Sequence, residues 1–204
     1  AAPDIQTAVD ASSDGDTVVV SNGVYNTGGV AGYPDGGELT NRVAIHKPIT
    51  VRSANGPDVT SIVGSGPKGA QAVRGVYLVE GAALVGFTVT QGATSTNEGG
   101  GLLSIVGTDL GDAARGAIPK SSQKDQGSFF DQVGGGIFAA GAGAIVSNCI
   151  ISGNAAADMG GGVYYGSLYN CVLSGNSVSG SFNAMGGGAY SATIHHSTLE
   201  GNTV

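Results

Sequence analysis

Few residues in this chain are of types that do chemistry, and they are unevenly spread. The densest group lies between Gly107 and Val133, where Asp109, Asp112, Arg115, Lys120, Lys124, Asp125 and Asp131 fall. Removing the α-proton of a uronate needs a cation on its carboxylate and a basic side chain beside the proton. In a lyase reading, Asp109, Asp112 and Asp131 are therefore the candidate calcium ligands, and Arg115, Lys120 or Lys124 the base or uronate clamp. That reading alone calls for a metal, and no other cofactor is implied. Hydrolysis would need paired carboxylates at a set separation. His196 and Glu200 share one face of a strand, but four residues hold them roughly 13 Å apart. His195-His196 has no carboxylate beside it and reads as surface. Lys47, Arg52 and Arg74 stand in the first part of the chain with no carboxylate cluster aligned to them. The two cysteines have no partner at zinc-ligand spacing and no histidine placed to activate them.

A second grouping is aromatic. Phe138, Tyr164 and Tyr190 each follow a glycine triplet by the same interval, and Leu103 holds the corresponding place one triplet earlier. A column of rings with wet hydroxyl tips can stack on sugars, or it can support itself as a ladder. The ladder is the favoured reading.

Whatever these residues do, a repeat must position them. Triplets at Gly134–Gly136, Gly160–Gly162 and Gly186–Gly188 begin 26 residues apart. Each leads to an apolar–aromatic pair and then to a strand-like run ending in Gly-Asn: 148–154, 170–176 and 196–202. A fixed period of this size marks a solenoid, in which each repeat buries its apolar side on its neighbours. β-branched residues and the lack of a helical period make it a β-solenoid with coils of about 22–26 residues. Alternation along the strands places Cys149, Cys171 and Ser197 inward with Ile151, Leu173 and Leu199, and aligns Phe87 and Val89 with them. Ile150, Val172 and Thr198 then face out, as do Ser152, Ser174, Glu200, Thr88 and Thr90. Asn154, Asn176 and Asn202 form one column whose amides can bond from rung to rung. Cys149 and Cys171 stack within disulfide range; the reading is a pair of buried free thiols, with a disulfide as the alternative.

The chain has 204 residues, 38 of them glycine, with 41% hydrophobic and 11% charged residues. That balance excludes a disordered chain. A formal charge of −7 disfavours a nucleic-acid backbone as partner. No apolar run reaches the ~18 residues of a membrane helix.

Residues 3–13 read as a short amphipathic helix, with Pro3 and Asp4 at its start and Ile5, Ala8 and Val9 on one face. Thr17–Val20 is a strand, Asn22-Gly23 a turn, and Val24-Tyr25 resumes. Such a helix covers the open edge of a first coil. Strands are expected at Val43–Ile45, Ile49–Val51, Ser61–Val63, Gly75–Val79 and, as one run, Leu84–Val89. The interval from Gly99 to Gly134 is 35 residues, nine above the period, and lacks the Gly-Asn strand. It reads as an excursion over 107–133, either functional or merely solvated.

The run Ile5–Ala11, then Gly15–Val20, then Asn22–Tyr25 resembles the N-terminal cap of right-handed parallel β-helix proteins of the pectin-lyase-like superfamily. The Gly-Gly-Gly and Ser-Gly-Asn coils resemble the repeats of large bacterial surface and outer-membrane β-helix proteins. The resemblance implies an all-β right-handed parallel β-helix spanning residues 1–204, with regular coils from 134 to 204, and a bacterial, secreted or cell-surface setting. It does not fix an activity, since that superfamily holds enzymes, adhesins and fibres alike.

The preferred expectation is a structural or adhesive repeat protein, part of a longer one. The alternatives are a polysaccharide lyase or other carbohydrate-active enzyme, and a non-catalytic glycan-binding module using the aromatic strip of Phe138, Tyr164 and Tyr190 alone; Arg115, Lys120 and Lys124 join these rings as candidate glycan- or partner-binding residues. Expected partners are a polysaccharide or another protein chain. Self-association through an uncapped last coil is also expected, because Leu199 is followed by no covering element.

Overall fold

The computed structural model describes residues 4–96, 129–180 and 184–204. One short helix, α1 (Ile5–Ala11), precedes a succession of short strands. In chain order they are β1 (Thr17–Val20), β2 (Gly23–Tyr25), β3 (Thr40–Ile45), β4 (Thr50–Ser53), β5 (Thr60–Val63), β6 (Val73–Leu78), β7 (Ala83–Val85), β8 (Thr88–Thr90) and β9 (Ile137–Ala139). There follow β10 (Ile145–Ser147), β11 (Ile150–Ser152), β12 (Ala155–Ala156), β13 (Val163–Tyr164), β14 (Ser167–Tyr169), β15 (Val172–Ser174), β16 (Ser177–Val178), β17 (Ala189–Tyr190), β18 (Thr193–His195) and β19 (Thr198–Glu200).

All the paired strands are parallel, and they sort into three stacks. The first sheet runs β1-β4-β7-β10-β14-β18, the second β2-β5-β8-β11-β15-β19 and the third β3-β6-β9-β13-β17, with β12-β16 as a short fourth ribbon. The chain visits the first, second and third sheets in turn and then returns one rung higher. Such stacking is consistent with a parallel β-helix. Thr17, Thr50 and Ala83 are register partners 33 residues apart, so the early rungs are longer than the later ones.

Alternation sets the core. Val51, Leu84, Val146 and Leu168 of the first sheet meet Ile62, Val89, Ile151 and Leu173 of the second and Val76, Ile137 and Val163 of the third, all fully buried. The inward places expected for Cys149, Cys171, Phe87 and Val89 are the ones observed. Both cysteines are free thiols. At the upper end the same columns emerge: Leu173 is sealed, whereas Leu199 is 46% exposed and Ile194 38%.

The expected single strand over Leu84–Val89 is two strands in different sheets. Gly86 turns the corner between β7 and β8 at φ +77°, and Asn148, Asn170 and His196 do the same in later rungs at φ +51°, +53° and +49°. Asparagine tolerates the left-handed region better than most residues, which explains its recurrence there. The crossing from second to third sheet takes up the variation in length, with 26–39 and 64–72 both falling there.

The glycine triplet has two physical causes. Its first member lies in the left-handed region, at φ +67°, +64° and +64° for Gly134, Gly160 and Gly186. The other two leave no room for a side chain. A Cβ on Gly136 would stand 2.6 Å from the carbonyl oxygen of Gly162, and one on Gly161 2.5 Å from that of Gly187.

Helix α1 is narrower than the 3–13 expected. The Asp4 carboxylate caps it by accepting from Thr7 N at 2.7 Å, and Ile5 and Val9 enter the core. Gln6 then behaves as a short piece of strand: its Oε1 accepts from Ala44 N at 2.8 Å and its Nε2 donates to Ala44 O at 3.2 Å, satisfying the edge of β3. Lys47 closes the other end, its Nζ donating to Asp10 O and Ser12 O at 2.7 Å each. Among the described residues no helix is long and apolar enough to cross a membrane.

Candidate functional site

The outward positions of the third sheet build the most distinctive surface. Register pairs Tyr77 with Phe138, Phe138 with Tyr164, and Tyr164 with Tyr190. Their ring centroids are 5.9, 5.2 and 5.8 Å apart, with interplanar angles of 19°, 25° and 11°. Tyr33 extends the stack below Tyr77 at 5.5 Å, and His46 stacks on Tyr33 at 5.2 Å. The outward column expected of Phe138, Tyr164 and Tyr190 is thus present. The neighbour of Phe138, however, is Tyr77 rather than Leu103. β6 and β9 are adjacent rungs that pair directly, and Leu103 lies outside the described residues.

Rings stacked in this way cover one another's faces and turn their edges outward, so most of the column is a ladder rather than an open platform. Its lower part is also roofed. Phe129–Asp131 forms a single 3-10 turn that sets Phe130 edge-on to Phe138 at 5.9 Å and Phe129 edge-on to Tyr164 at 6.1 Å. Val133 and Met159 pack into the same layer. Phe138 and Tyr77 are therefore buried, while Tyr164 and Tyr190 are half-buried. Burial, with Tyr165 and Tyr190 nearby, raises the Tyr164 hydroxyl above the usual tyrosine value. Phe129 and Tyr165 are about two-fifths exposed, and Tyr165 lies 5.1 Å from Tyr164 at 58°.

An arginine that sequence reasoning passed over holds this roof down. Arg74 precedes Val76 by two residues as Gly135 precedes Ile137, its strand's register partner, so it replaces the middle glycine of a triplet. Fully buried, its guanidinium donates to Asn41 Oδ1 at 2.9 Å, to Gly134 O and Val133 O at 3.0 Å each, and to Phe130 O. It also lies 5.1 Å from the Phe138 ring centre. Burial pushes its pKa down to about 10 against the opposing pull of Asp131, and it remains a cation at neutral pH. The signal that could have found it is a charged residue in a column whose later places, Gly135, Gly161 and Gly187, are all glycine.

Asp131, a candidate calcium ligand, is 1% exposed. Its carboxylate accepts from Leu39 N at 3.0 Å and from Glu38 N at 3.0 and 3.1 Å, and its backbone oxygen accepts from Ser95 N and Oγ at 2.9 Å each. Those bonds engage it with the protein's own amides. Asp109, Asp112, Arg115, Lys120 and Lys124 lie outside the described residues. Among the described residues no group of three or more His, Cys, Asp or Glu side chains gathers as metal ligands would. His195 stacks on Tyr169 at 4.8 Å and 8°, while His196 serves as the corner residue already noted. Arg52 and Glu200 are exposed on separate sheets.

The asparagine column bonds as its alignment suggested. Asn154 Nδ2 donates to Asn176 Oδ1 and Asn176 Nδ2 to Asn202 Oδ1, both at 2.9 Å. The same side chains reach the strands below, at Val89 O and Ile151 O, and Gly92 N donates to Asn154 Oδ1 at 2.8 Å. Asn154 and Asn176 are fully buried, so this is a structural ladder.

Fold and surface together define an all-β protein of stacked parallel sheets with an aromatic outer ladder. Comparison with protein-family models, with characterised proteins and with solved structures gives no match to this chain.

Proposed function

We propose that the chain is a right-handed parallel β-helix with a structural or adhesive role at a cell surface or outside the cell. The observation that carries this reading is the outer aromatic column, continuous from His46 to Tyr190 and engaged with itself along its length. Together with the asparagine ladder it stiffens successive rungs along a single axis, as a rod that spans distance or bears load requires.

A glycan-binding reading is favoured by one detail. Phe129 stands at 74° to Tyr164, outside the face-to-face stack of the ladder, and is 41% exposed. With Tyr165 it forms an aromatic corner suited to a sugar ring. Retention of the protein on a panel of immobilised polysaccharides tests both readings. A Phe129→Ala/Tyr165→Ala variant that melts normally should lose retention if the corner binds glycan. Unchanged retention removes the corner from the reading, and no retention of either form leaves the rod role alone.

A further inference from the structure

Cys149 and Cys171 immediately precede the register partners Ile150 and Val172, so the two thiols share one inward column on adjacent rungs. Their hydrogen bonds show that the two side chains take the same orientation. Cys149 Sγ donates to Ser147 O at 3.2 Å and Leu84 O at 3.8 Å, and Cys171 Sγ to Tyr169 O at 3.3 Å and Val146 O at 3.5 Å. Ser147 and Tyr169 are register partners, and so are Leu84 and Val146. One sulfur is thus the other moved up by a rung, which sets the pair about 4.8 Å apart.

Two metal–thiolate bonds of about 2.3 Å laid end to end span about 4.6 Å. An ion midway between the sulfurs would therefore be two-coordinate and nearly linear. The column offers no further sulfur or nitrogen ligand. Phe87 holds the place below, and the Ser197 hydroxyl above is engaged with His195 O and the Cys171 amide. Leu84, Val146 and Leu173 pack around the pair, fully buried. Zinc, which needs four ligands, is not served by this arrangement. Charge narrows the guest further. A divalent ion that displaces both thiol protons leaves a neutral complex, whereas a monovalent one would leave a net negative charge in an apolar core. Amides of the rung below also face the sulfurs, Phe87 N donating to Cys149 Sγ at 3.4 Å and the Cys149 amide to Cys171 Sγ.

We propose that Cys149 and Cys171 form a two-coordinate site for a soft divalent cation of linear preference, with mercuric ion as its probe. Each ion that enters forms two metal–sulfur bonds and releases two protons, one from each thiol. It ties the two rungs together inside the core, where only packing and backbone bonds otherwise join these side chains.

The test uses the full chain with one equivalent of mercuric acetate. X-ray absorption at the mercury edge should show two sulfur neighbours at about 2.3 Å and no third ligand. Titration in unbuffered solution should release two protons per ion, and the thermal midpoint should rise. Cys149→Ser and Cys171→Ser should both fold, because Ser197 in the same column already bonds the carbonyl two residues before it, at 2.8 Å. Each variant should show one sulfur neighbour and lose the rise in midpoint. A single sulfur in the unaltered protein, a third ligand, or a falling midpoint would overturn the proposal. So would a doubled mass on gel filtration, which would mean that the two sulfurs come from two chains. Silver acetate is the last arm: a larger rise in midpoint with silver than with mercury would reject the preference for a divalent guest.

Discussion

Arg74 Nη1 donates to Asn41 Oδ1 at 2.9 Å, and the two residues are register partners on adjacent rungs. Asn41 in turn holds the 26–39 crossing, its Nδ2 donating to Tyr33 O at 2.9 Å. One buried guanidinium thereby joins the segment that carries Tyr33 to the turn that carries Phe130, and both cover the lower aromatic column. The roof is tied from beneath by polar groups as well as by apolar contact.

Arg74→Met should accordingly destabilise the protein by on the order of 3 kcal/mol, because it leaves several buried acceptors without a donor. Urea unfolding followed by circular dichroism measures the loss. Fluorescence quenching of the tyrosines should also rise in the folded variant as the 129–133 turn loosens, a change that a uniformly destabilised fold would not show.

Two glycines separate the effect of space from that of conformation. Gly175 has φ +60° and open space around its Cβ position, so Gly175→Ala should cost about 1 kcal/mol from backbone strain alone. Gly161→Ala forces a methyl against the Gly187 carbonyl of the next rung and should cost at least twice that. Equal melting points for the two variants would contradict the close approach between rungs.

Asn176 uses its side chain on both adjacent rungs: Oδ1 accepts from Asn154 N and Nδ2, and Nδ2 donates to Ile151 O and Asn202 Oδ1. Asn176→Ala should cost about 3 kcal/mol. Asn176→Asp should cost more, since a carboxylate would face the Ile151 and Asn202 oxygens with no proton to offer. Asn202→Ala, at a half-exposed place, should cost less than either in the same unfolding assay.

The Cys149 thiol is pushed up to about 12 from an ordinary 9.0, chiefly by burial. Its native thiolate fraction at pH 8 is then about a thousandfold below that of a free thiol, and native protein should resist iodoacetamide until it unfolds. The linkage has a definite sign. A pKa raised on folding favours the folded state below pH 9, and that contribution is lost as pH rises from 9 towards 12. Cys149→Ser should flatten the fall in melting temperature over that window.

The repeat was legible because it rests on short-range rules. The left-handed first glycine, the packed second and third glycines, and the Asn154–Asn176–Asn202 column all leave a mark at fixed spacing. The inward places of Cys149, Phe87 and Val89 followed from alternation alone. What escaped notice depends on contacts between distant segments. Nothing local marks Tyr33 or Tyr77 as part of the column that holds Phe138, because the 26–39 crossing and β6 reach it only through rung stacking. The place beside Phe138 that triplet counting gives to Leu103 is held by Tyr77, and Leu103 itself lies outside the described residues. Arg74 escaped because its acceptors are mostly backbone oxygens, which every residue has.

The first and second sheets meet at corners of two residues in five of the six rungs, whereas the second and third are joined by segments of widely different length. One flank of the molecule therefore behaves as a spine and the other as an open fore-edge. A peptide inserted at Asn170 would have to break a two-residue corner and would slip every later strand out of step. The same peptide inserted in the 64–72 crossing, on the flank where segments of several lengths already leave and rejoin the stack, would leave the strands above and below in step. Change by insertion, whether in the laboratory or over generations, is thus channelled to a single edge of the rod, so that added segments line up along its length rather than around its girth.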